Sequence, residues 1–253
     1  MDSADLKALY DRVYADGKEG FFTFTTADVT EQVLKEADWR GRSVLEVGCG
    51  TGETAFMIAA AGGLVLATDF VEGAIQEAQE RHQHPNLSFA VANVDEVDGL
   101  FDYIVMQEVI EHVDDPPSTL ARLKSHLKPD GHLIITCPSF LNLRGVVWMT
   151  LQLLLDVPMS LTDRHFISPP DMEAWATQLG LHCTWRTFRH SQGMGEQMLV
   201  DLAKRLPNAL RDAGLDNSKA GALLDWLEAA SAFEAEATHN GAKALYHLTL
   251  VAP

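Results

Sequence analysis

The hydrophobic and polar residues of the chain alternate with two different periods. Short apolar runs, such as Tyr103-Ile104-Val105-Met106 and Leu133-Ile134-Ile135, are typical of strands that are buried on both faces of a parallel sheet. Between such runs, apolar residues recur at the three- to four-residue spacing of an amphipathic helix. From residue 43 to residue 137 the sequence therefore predicts strands that alternate with helices, the pattern of an α/β fold with helices on both faces of the sheet.

Three segments lie outside this alternating region. Helical spacing predicts helices before the first strand, within residues 1–40. An apolar insertion at 139–166 follows the fifth strand, and an interval rich in Ala and Leu at 190–241 predicts a helical cap before the last strand. Trp226 falls at an amphipathic position of that cap, and we expect it in the core. We expect a single domain over residues 1–253.

Composition restricts the partners that this chain can have. Of its 253 residues, 36 are acidic and 19 are basic, so the formal charge is −17, and no run of Lys or Arg is present. Nucleic acids and anionic membranes bind through basic side chains, so we expect no nucleic-acid partner and at most peripheral membrane contact. The three cysteines are far apart and form neither a disulfide framework nor a metal motif, and no signal peptide is recognised. A cytoplasmic protein is therefore expected.

A glycine-rich segment between the first predicted strand and the next helix is the most informative motif. In Glu46-Val47-Gly48-Cys49-Gly50-Thr51-Gly52, glycines alternate with other residues, which lets a ligand approach the backbone and the helix N-terminus. The glycines alone do not identify the ligand, because the dinucleotide fingerprint G-x-G-x-x-G/A also fits at Gly50, Gly52 and Ala55. The acids near the loop decide between the two cofactor classes.

Of two carboxylates near the loop, Glu46 favours S-adenosylmethionine over a dinucleotide and Asp69 fits both. Glu46 lies two residues before the first glycine, where it would repel a pyrophosphate and attract an ammonium group. S-adenosylmethionine carries that ammonium and has no phosphate. Asp69 ends the next predicted strand, 17 residues after Gly52, and can accept hydrogen bonds from both ribose hydroxyls, although an acid at this position would suit NAD equally.

The same segments carry a resemblance to a known family. Residues 46–52 resemble motif I of the class I S-adenosylmethionine-dependent methyltransferases, and Asp69 resembles their ribose-binding acid. Residues 101–113 and 127–131 also resemble that family. Its ubiquinone-biosynthesis O-methyltransferases are the most similar group, because they share Glu-x-x-Glu-His-Val, an apolar segment after the fifth strand and the helix start Phe166-Ile167-Ser168-Pro169. The resemblance implies a Rossmann-like, seven-stranded, mostly parallel sheet whose last strand is antiparallel.

The resemblance also implies which residues bind the cofactor. Carried over by position, these are Glu46, Gly48, Cys49, Gly50, Gly52, Asp69, Phe70, Asn93, Val94 and Gln107. The three glycines would line the methionine part of the cofactor, and Asp69 would bind the ribose. Phe70 would pack on the adenine, whereas Asn93 and Val94 would meet its edge. Gln107 would lie near the methyl group.

The Glu-x-x-Glu-His sequence after the fourth strand forms a second candidate site. Glu108, Glu111 and His112 share one face if this segment turns helically. Three roles stay open. They are ligands of a divalent metal, Mg or Mn, which the resemblance implies; or His112 is a general base, with Glu111 beside it; or the motif only orients the loop. His165 is the candidate fourth metal ligand.

The predicted activity is O-methylation of a small molecule, assisted by a divalent metal. The alternatives are metal-free N-methylation of a small amine, a catalytically silent cofactor-binding subunit, and 2′-O-methylation at an RNA 3′ end. The strongly acidic composition argues against the RNA substrate. We expect a small-molecule acceptor and an apolar insertion that lines a hydrophobic pocket or a homodimer interface.

Overall fold

The fold consists of alternating strands and helices in the computed structural model, which describes residues 3–16, 27–157, 160, 162–190, 195–231 and 239–251. The helices are α1 (Ser3–Asp16), α2 (Ala27–Leu34), α3 (Glu53–Ala60), α4 (Glu72–Arg81), α5 (Pro116–Ser125), α6 (Leu143–Leu155), α7 (Pro169–Gln178), α8 (Gly195–Asp212) and α9 (Ala220–Ser231). The strands are β1 (Ser43–Val47), β2 (Leu64–Asp69), β3 (Leu87–Val91), β4 (Phe101–Gln107), β5 (Leu127–Pro138), β6 (Leu181–Phe188) and β7 (Lys243–Leu250).

The strands form one seven-stranded sheet in the order β3-β2-β1-β4-β5-β7-β6. The pairs β1–β2, β1–β4, β2–β3 and β4–β5 are parallel, and β7 runs antiparallel to its neighbours. The predicted fold class is therefore confirmed. Because parallel strands end at the same edge of a sheet, the carboxyl ends of β1, β2 and β4 lie side by side.

Continuous apolar runs account for the central strands. Leu45 in β1 and Ile104 in β4 are buried, and α3 covers the sheet with Ile58 and other small or aliphatic residues. β5 begins earlier than the apolar run that predicted it, because Phe101 pairs with Leu127 before an irregularity in the register. The same apolar runs that predicted the central strands thus form the buried part of the sheet.

The chain forms two compact units. The first consists of Met1–Cys137, Pro169–Trp185 and Leu245–Pro253, and the second of Pro138–Ser168 and Arg186–Ala244. The predicted insertion and the predicted cap thus both belong to the second unit, where they share one core. Its buried residues are Trp148, Val157, Met198, Leu202, Leu206, Ala209, Ala220 and Leu227. The expectation of a single domain stays a prediction.

The second unit also exposes apolar side chains. The expectation that Trp226 lies in the core was wrong: the side chain is 59% exposed, because its neighbour Leu227 occupies the buried side of α9. Leu153 and Leu154 near the end of α6 are exposed as well, whereas Trp148 is buried. No helix within the described ranges is long and apolar enough to cross a membrane.

Candidate active site

A cavity of about 1400 Å³ lies within the first unit, at the carboxyl ends of β1, β2 and β4. Nine of the ten residues expected to bind the cofactor line it: Glu46, Gly48, Cys49, Gly50, Asp69, Phe70, Asn93, Val94 and Gln107. Ligand pockets in proteins are commonly about 300–1000 Å³, so this cavity has room for a nucleoside cofactor and for part of a second ligand. The tenth residue, Gly52, does not line the wall.

The three glycines of the loop are required for different physical reasons. Gly48, Gly50 and Gly52 have φ values of 73°, 51° and 84°, in the left-handed region that favours glycine. A Cβ atom on Gly48 would overlap the side chain of Val109, and one on Gly52 would lie 2.7 Å from the ring of Phe89. At Gly50 the nearest atom would be 3.7 Å away. Close packing therefore requires glycine at positions 48 and 52, and the backbone conformation requires it at position 50.

Asp69 ends β2 beside the glycine loop and is held by backbone donors. The Val71 N–H donates to its Oδ1 at 2.9 Å, and the Gly50 N–H donates to its Oδ2 at 3.0 Å. Burial raises the pKa of Asp69, and these hydrogen bonds oppose that shift. Each carboxylate oxygen keeps a further lone pair, so the side chain can accept two more hydrogen bonds from a ribose.

Glu46 is a deeply buried acid of the site. It is only 2% exposed, and its Oε2 atom has no hydrogen-bond partner among the described residues. Burial raises the pKa of Glu46 to about 8, although the backbone N–H of Ala55 opposes the shift; the nearby charges of Glu53 and Asp69 add to the rise. A buried carboxyl oxygen without a donor fits a cationic ligand group, such as the ammonium of S-adenosylmethionine.

The residues expected at the adenine follow β2 and β3. Phe70 comes directly after β2, and Asn93 and Val94 come two and three residues after the end of β3. The Asn93 N–H donates to the Glu96 carboxylate at 2.8 Å, which begins a short 3₁₀ turn, Val94–Glu96. Phe70, Asn93 and Val94 all line the cavity, and their contact with the adenine stays a prediction.

The Glu-x-x-Glu-His segment forms a single turn between β4 and α5 and is not a helix. Glu108 has a φ of 56°, and its N–H donates to the Thr136 carbonyl at 2.9 Å. The His112 N–H closes the turn on the Val109 carbonyl at 2.9 Å. Glu108 and His112 line the cavity, whereas Glu111 is buried behind the wall. Glu108, Glu111 and His112 therefore do not share the one face that a helical segment would give them.

Glu111 and His112 nevertheless stay close together. The Glu111 Oε1 atom is 4.0 Å from the His112 Nε2 atom, so the carboxylate lies beside the imidazole. This arrangement suits either a shared cation or an imidazole that gains a proton. His165 belongs to the second unit, and its place as a fourth ligand stays a prediction.

Comparison with known proteins identifies the family. The methyltransferase domain family matches residues 22–184, which is more than half of the chain. The chain belongs to this methyltransferase family. The ubiquinone biosynthesis O-methyltransferase of Pectobacterium atrosepticum is 29% identical over 180 residues, which cover 66% of this chain and 71% of that protein. With the glycine loop and its two acids, these matches make the chain an S-adenosylmethionine-dependent methyltransferase.

Solved structures share the fold of this methyltransferase. An S-adenosylmethionine-dependent methyltransferase from Thermotoga maritima matches with a TM-score of 0.61 and 16% identity, covering 96% of this chain and 99% of that one. The magnesium protoporphyrin IX methyltransferase of Synechocystis, solved with bound S-adenosylhomocysteine, has a TM-score of 0.56 and 15% identity, with 89% and 82% covered. At these identities, the two structures establish the fold.

Part of the cavity wall was not predicted from the sequence. Helix α1 of the methyltransferase contributes Lys7, Tyr10 and Tyr14 to it. Burial, followed by the charge of Asp69, raises the pKa of Tyr14, so the phenol stays neutral at any physiological pH. The amphipathic spacing of α1 predicted a helix but not its target, because periodicity does not say which surface a helix covers. An aromatic pair at helical spacing was the only signal available.

Helices α2 and α5 supply further unpredicted residues. Thr30 and Glu31 come from α2, and Ser118, Thr119 and Arg122 come from α5. These residue types are common on exposed helix surfaces, so sequence alone gave no reason to single them out. They enter the site because both helices pack at the carboxyl edge of the sheet.

Proposed function

We propose that this methyltransferase transfers the methyl group of S-adenosylmethionine to an oxygen of a small molecule, with Mg or Mn bound by Glu108, Glu111 and His112. The observation that carries the proposal is the turn after β4. There, Glu108 and His112 line the cavity, and Glu111 lies 4.0 Å from the imidazole. Two carboxylates and one imidazole are ligands that Mn and related divalent ions accept, and Mg favours the carboxylates.

The acceptor class follows from the relatives and from charge. The curated relatives are named for O-methylation in ubiquinone biosynthesis, which supports a hydroxyl on a small organic molecule. The charge of −17 without a basic run is unfavourable for an RNA substrate. A cytoplasmic location and a homodimer stay predictions from the sequence.

The cofactor residues act by binding and orientation. Bound S-adenosylmethionine supplies a methyl group that is already activated on a sulfonium. Glu46 holds the ammonium of its methionine part, and Asp69 accepts hydrogen bonds from the ribose hydroxyls. Phe70 packs on the adenine. The remaining task of the chain is to place the attacking oxygen in line with the methyl carbon and to exclude water from the cavity.

The residues of the turn after β4 promote loss of the proton from the acceptor hydroxyl. A divalent ion at Glu108, Glu111 and His112 would lower the pKa of a substrate hydroxyl that it binds. The Glu111 carboxylate lies 4.0 Å from the His112 imidazole, close enough for both to bind one ion. His165 is the fourth ligand proposed from the sequence.

Titration of Mn²⁺ into protein saturated with S-adenosylhomocysteine, followed by electron paramagnetic resonance, tests the metal part of this proposal. We expect one tight site in the wild type that is lost in Glu111→Gln. Asp115→Asn is the matched control, because it removes one carboxylate from the same loop and can still accept the hydrogen bond of Ser118 at the start of α5. Equal Mn²⁺ binding in all three proteins, or no binding in the wild type, would contradict the metal site.

Activity measurements test the acceptor class separately. Catechols and vicinal diols are the first acceptors to try, because adjacent oxygens chelate a divalent ion. We expect methyl transfer to these oxygens that EDTA abolishes and that Mn²⁺ restores. An enzyme that methylates only amines and is indifferent to EDTA would disprove the proposed function, and would leave His112 as a base or a structural residue.

A further inference from the structure

A short chain of hydrogen bonds connects helix α2 to the cavity. The Oγ1 atoms of Thr30 and Thr54 are 2.7 Å apart, and Thr54 Oγ1 lies 3.0 Å from Gln107 Oε1. Both threonines are buried, at 6% and 4% exposure, and Gln107 lines the cavity as the last residue of β4. The three residues belong to α2, α3 and β4, so the chain of bonds crosses three elements of the first unit.

The orientation of the Gln107 amide, whose oxygen faces Thr54, sets the direction of this chain. A threonine hydroxyl has one hydrogen to donate, and an amide oxygen can only accept. Thr54 gives its hydrogen to Gln107 Oε1, so Thr30 must donate to Thr54. The amide of Gln107 then has its oxygen directed at Thr54 and its Nε2 group left over. Within the described part of the chain, that Nε2 group makes no hydrogen bond.

The register of β1 and β4 places Gln107 near Glu46. Glu46 pairs with Val105, and Gln107 is two residues further along β4, so Glu46 and Gln107 lie on the same face of the sheet. Two residues of a strand span about 7 Å. The Gln107 amide is therefore close enough to the Glu46 carboxyl for one small ligand group to contact both.

We propose that Thr30 and Thr54 are positioning residues that hold Gln107 with its amide N–H₂ facing the cavity, and that Gln107 thereby selects a ligand oxygen. This inference rests on the proposed function. The oxygen belongs either to the carboxylate of the cofactor or to the attacking group of the acceptor, and both present the same chemistry to the amide.

The fixed orientation discriminates between nucleophiles. A hydroxyl or phenolate oxygen has more than one lone pair, so it accepts a hydrogen bond from Gln107 and keeps a lone pair for the methyl carbon. A neutral amine nitrogen has a single lone pair, which that hydrogen bond would occupy. If the amide were flipped, Gln107 would present its oxygen and would favour an amine instead. Where the selected oxygen is that of the acceptor, the two threonines thus determine whether the site accepts an oxygen or a nitrogen nucleophile.

Binding and NMR measurements on the wild type, three single variants and the double variant Thr54→Val/Gln107→Leu test this orientation without a metal or an acceptor. The variants are Thr54→Val, which keeps the shape and removes the hydroxyl, Thr54→Ser, which restores the hydroxyl, and Gln107→Leu, which removes the amide. Each is titrated calorimetrically with S-adenosylhomocysteine and with methylthioadenosine, which lacks the amino-acid part. The side-chain N–H₂ resonances of Gln107, assigned by their absence in Gln107→Leu, are recorded in the S-adenosylhomocysteine complex.

We expect Thr54→Val to shift the Gln107 resonances and Thr54→Ser to leave them near their wild-type positions. If the oxygen is the carboxylate of the cofactor, Thr54→Val and Gln107→Leu bind S-adenosylhomocysteine about fivefold to tenfold more weakly and bind methylthioadenosine normally. The double variant is then no weaker than Gln107→Leu. If the oxygen belongs to the acceptor, both affinities stay normal while the resonances still shift in Thr54→Val only.

Two results would overturn the inference. Unshifted Gln107 resonances in Thr54→Val would mean that the hydroxyl does not hold the amide. Equal effects of Thr54→Val and Thr54→Ser would mean that packing, and not the hydroxyl, is responsible. A negative result in the Mn²⁺ titration leaves all these outcomes readable, so failure of the proposed metal site and failure of this inference are distinguishable.

Discussion

Two carboxyl groups at opposite ends of neighbouring strands show how the two edges of the sheet differ. Asp102, at the amino end of β4, accepts hydrogen bonds from the Ser43 N–H, the Ser43 hydroxyl and Lys128 Nζ at 2.7–2.8 Å. Burial alone would raise its pKa, but these hydrogen bonds outweigh burial and lower the pKa to about 2. Glu46, near the carboxyl end of β1, has a pKa raised to about 8 by burial.

The difference separates structural from ligand-binding polar groups. At the amino end, polar side chains bind one another: His132 Nδ1 is 2.8 Å from His247 Nε2, and His247 Nδ1 is 3.1 Å from Glu36 Oε2. At the carboxyl end, Glu46 and Gln107 keep hydrogen-bonding capacity that faces a cavity. Glu46 Oε2 and the Gln107 amide are thus available to a ligand, whereas Asp102, His132 and His247 are hydrogen-bonded within the chain.

The glycines at the two ends of β1 give the largest expected difference in stability. Gly41 and Gly52 both have positive φ, but a Cβ on Gly41 would have no atom within 4 Å, whereas one on Gly52 would meet the Phe89 ring at 2.7 Å. We expect Gly41→Ala to lower the free energy of unfolding by about 1–2 kcal/mol from backbone strain alone. Gly52→Ala should lower it by about 2–5 kcal/mol, because overpacking adds to the strain.

Urea unfolding of the two variants beside the wild type measures this difference. Equal losses for Gly41→Ala and Gly52→Ala would show that Phe89 moves aside without cost. In that case Gly52 would be required only by its backbone conformation.

Substitution of the two carboxyl groups should separate stability from ligand binding. Asp102→Asn removes the charge that Lys128 and the Ser43 donors stabilise, so we expect a loss of about 1–3 kcal/mol in the free energy of unfolding at pH 7. This loss should shrink as pH falls from about 4 toward 2, because the wild-type Asp102 then also becomes neutral. The affinity of the Asp102→Asn variant for S-adenosylhomocysteine should stay within about twofold of the wild type.

Glu46→Gln should behave in the opposite way. Because the folded-state pKa of Glu46 is raised, the wild type loses stability as pH rises from about 4.5 to about 8, and the variant lacks that loss. We expect equal or higher stability than the wild type at pH 7, and at least tenfold weaker binding of S-adenosylhomocysteine at pH 8. If Glu46→Gln lowered the free energy of unfolding and left the binding of S-adenosylhomocysteine unchanged, Glu46 would have a structural role and not a ligand-binding one.

The parts of the molecule that were predictable are those in which local pattern and long-range packing agree. The apolar runs of β4 and β5 and the glycines after β1 specify the central sheet and the loop, because burial on both faces leaves few other conformations for such residues. Glu46 and Asp69 were recognised because their strands end where parallel strands bind ligands. In these cases the spacing along the chain is sufficient.

Other features depended on contacts that no spacing reveals. Glu108, Glu111 and His112 would share one face only if the turn after β4 were helical, but Glu108 has positive φ and donates to the Thr136 carbonyl of the neighbouring strand, which ends any helical path. Thr30 and Thr54 are 24 residues apart and meet only through the packing of α2 on α3. The exposure of Trp226 likewise follows from which side of α9 meets the core, and hydrophobic spacing does not determine that side when Ala and Leu surround it.

The smallest effect expected is a proton released when the cofactor product binds. Glu46 is mostly protonated below pH 8, and the ammonium of S-adenosylhomocysteine favours its ionised form, so binding at pH 7 should release close to one proton. The affinity should therefore rise about tenfold, or about 1.4 kcal/mol, for each pH unit from 6 to 7, as long as the ligand ammonium stays charged.

Calorimetry in phosphate and in Tris buffer measures the released proton from the difference in heat. Methylthioadenosine, which lacks the ammonium, and Glu46→Gln should both show heats that are nearly independent of the buffer. A buffer-dependent heat that persists in Glu46→Gln would assign the proton to Asp69, whose pKa burial also raises, and would mean that Glu46 does not ionise when the ligand binds.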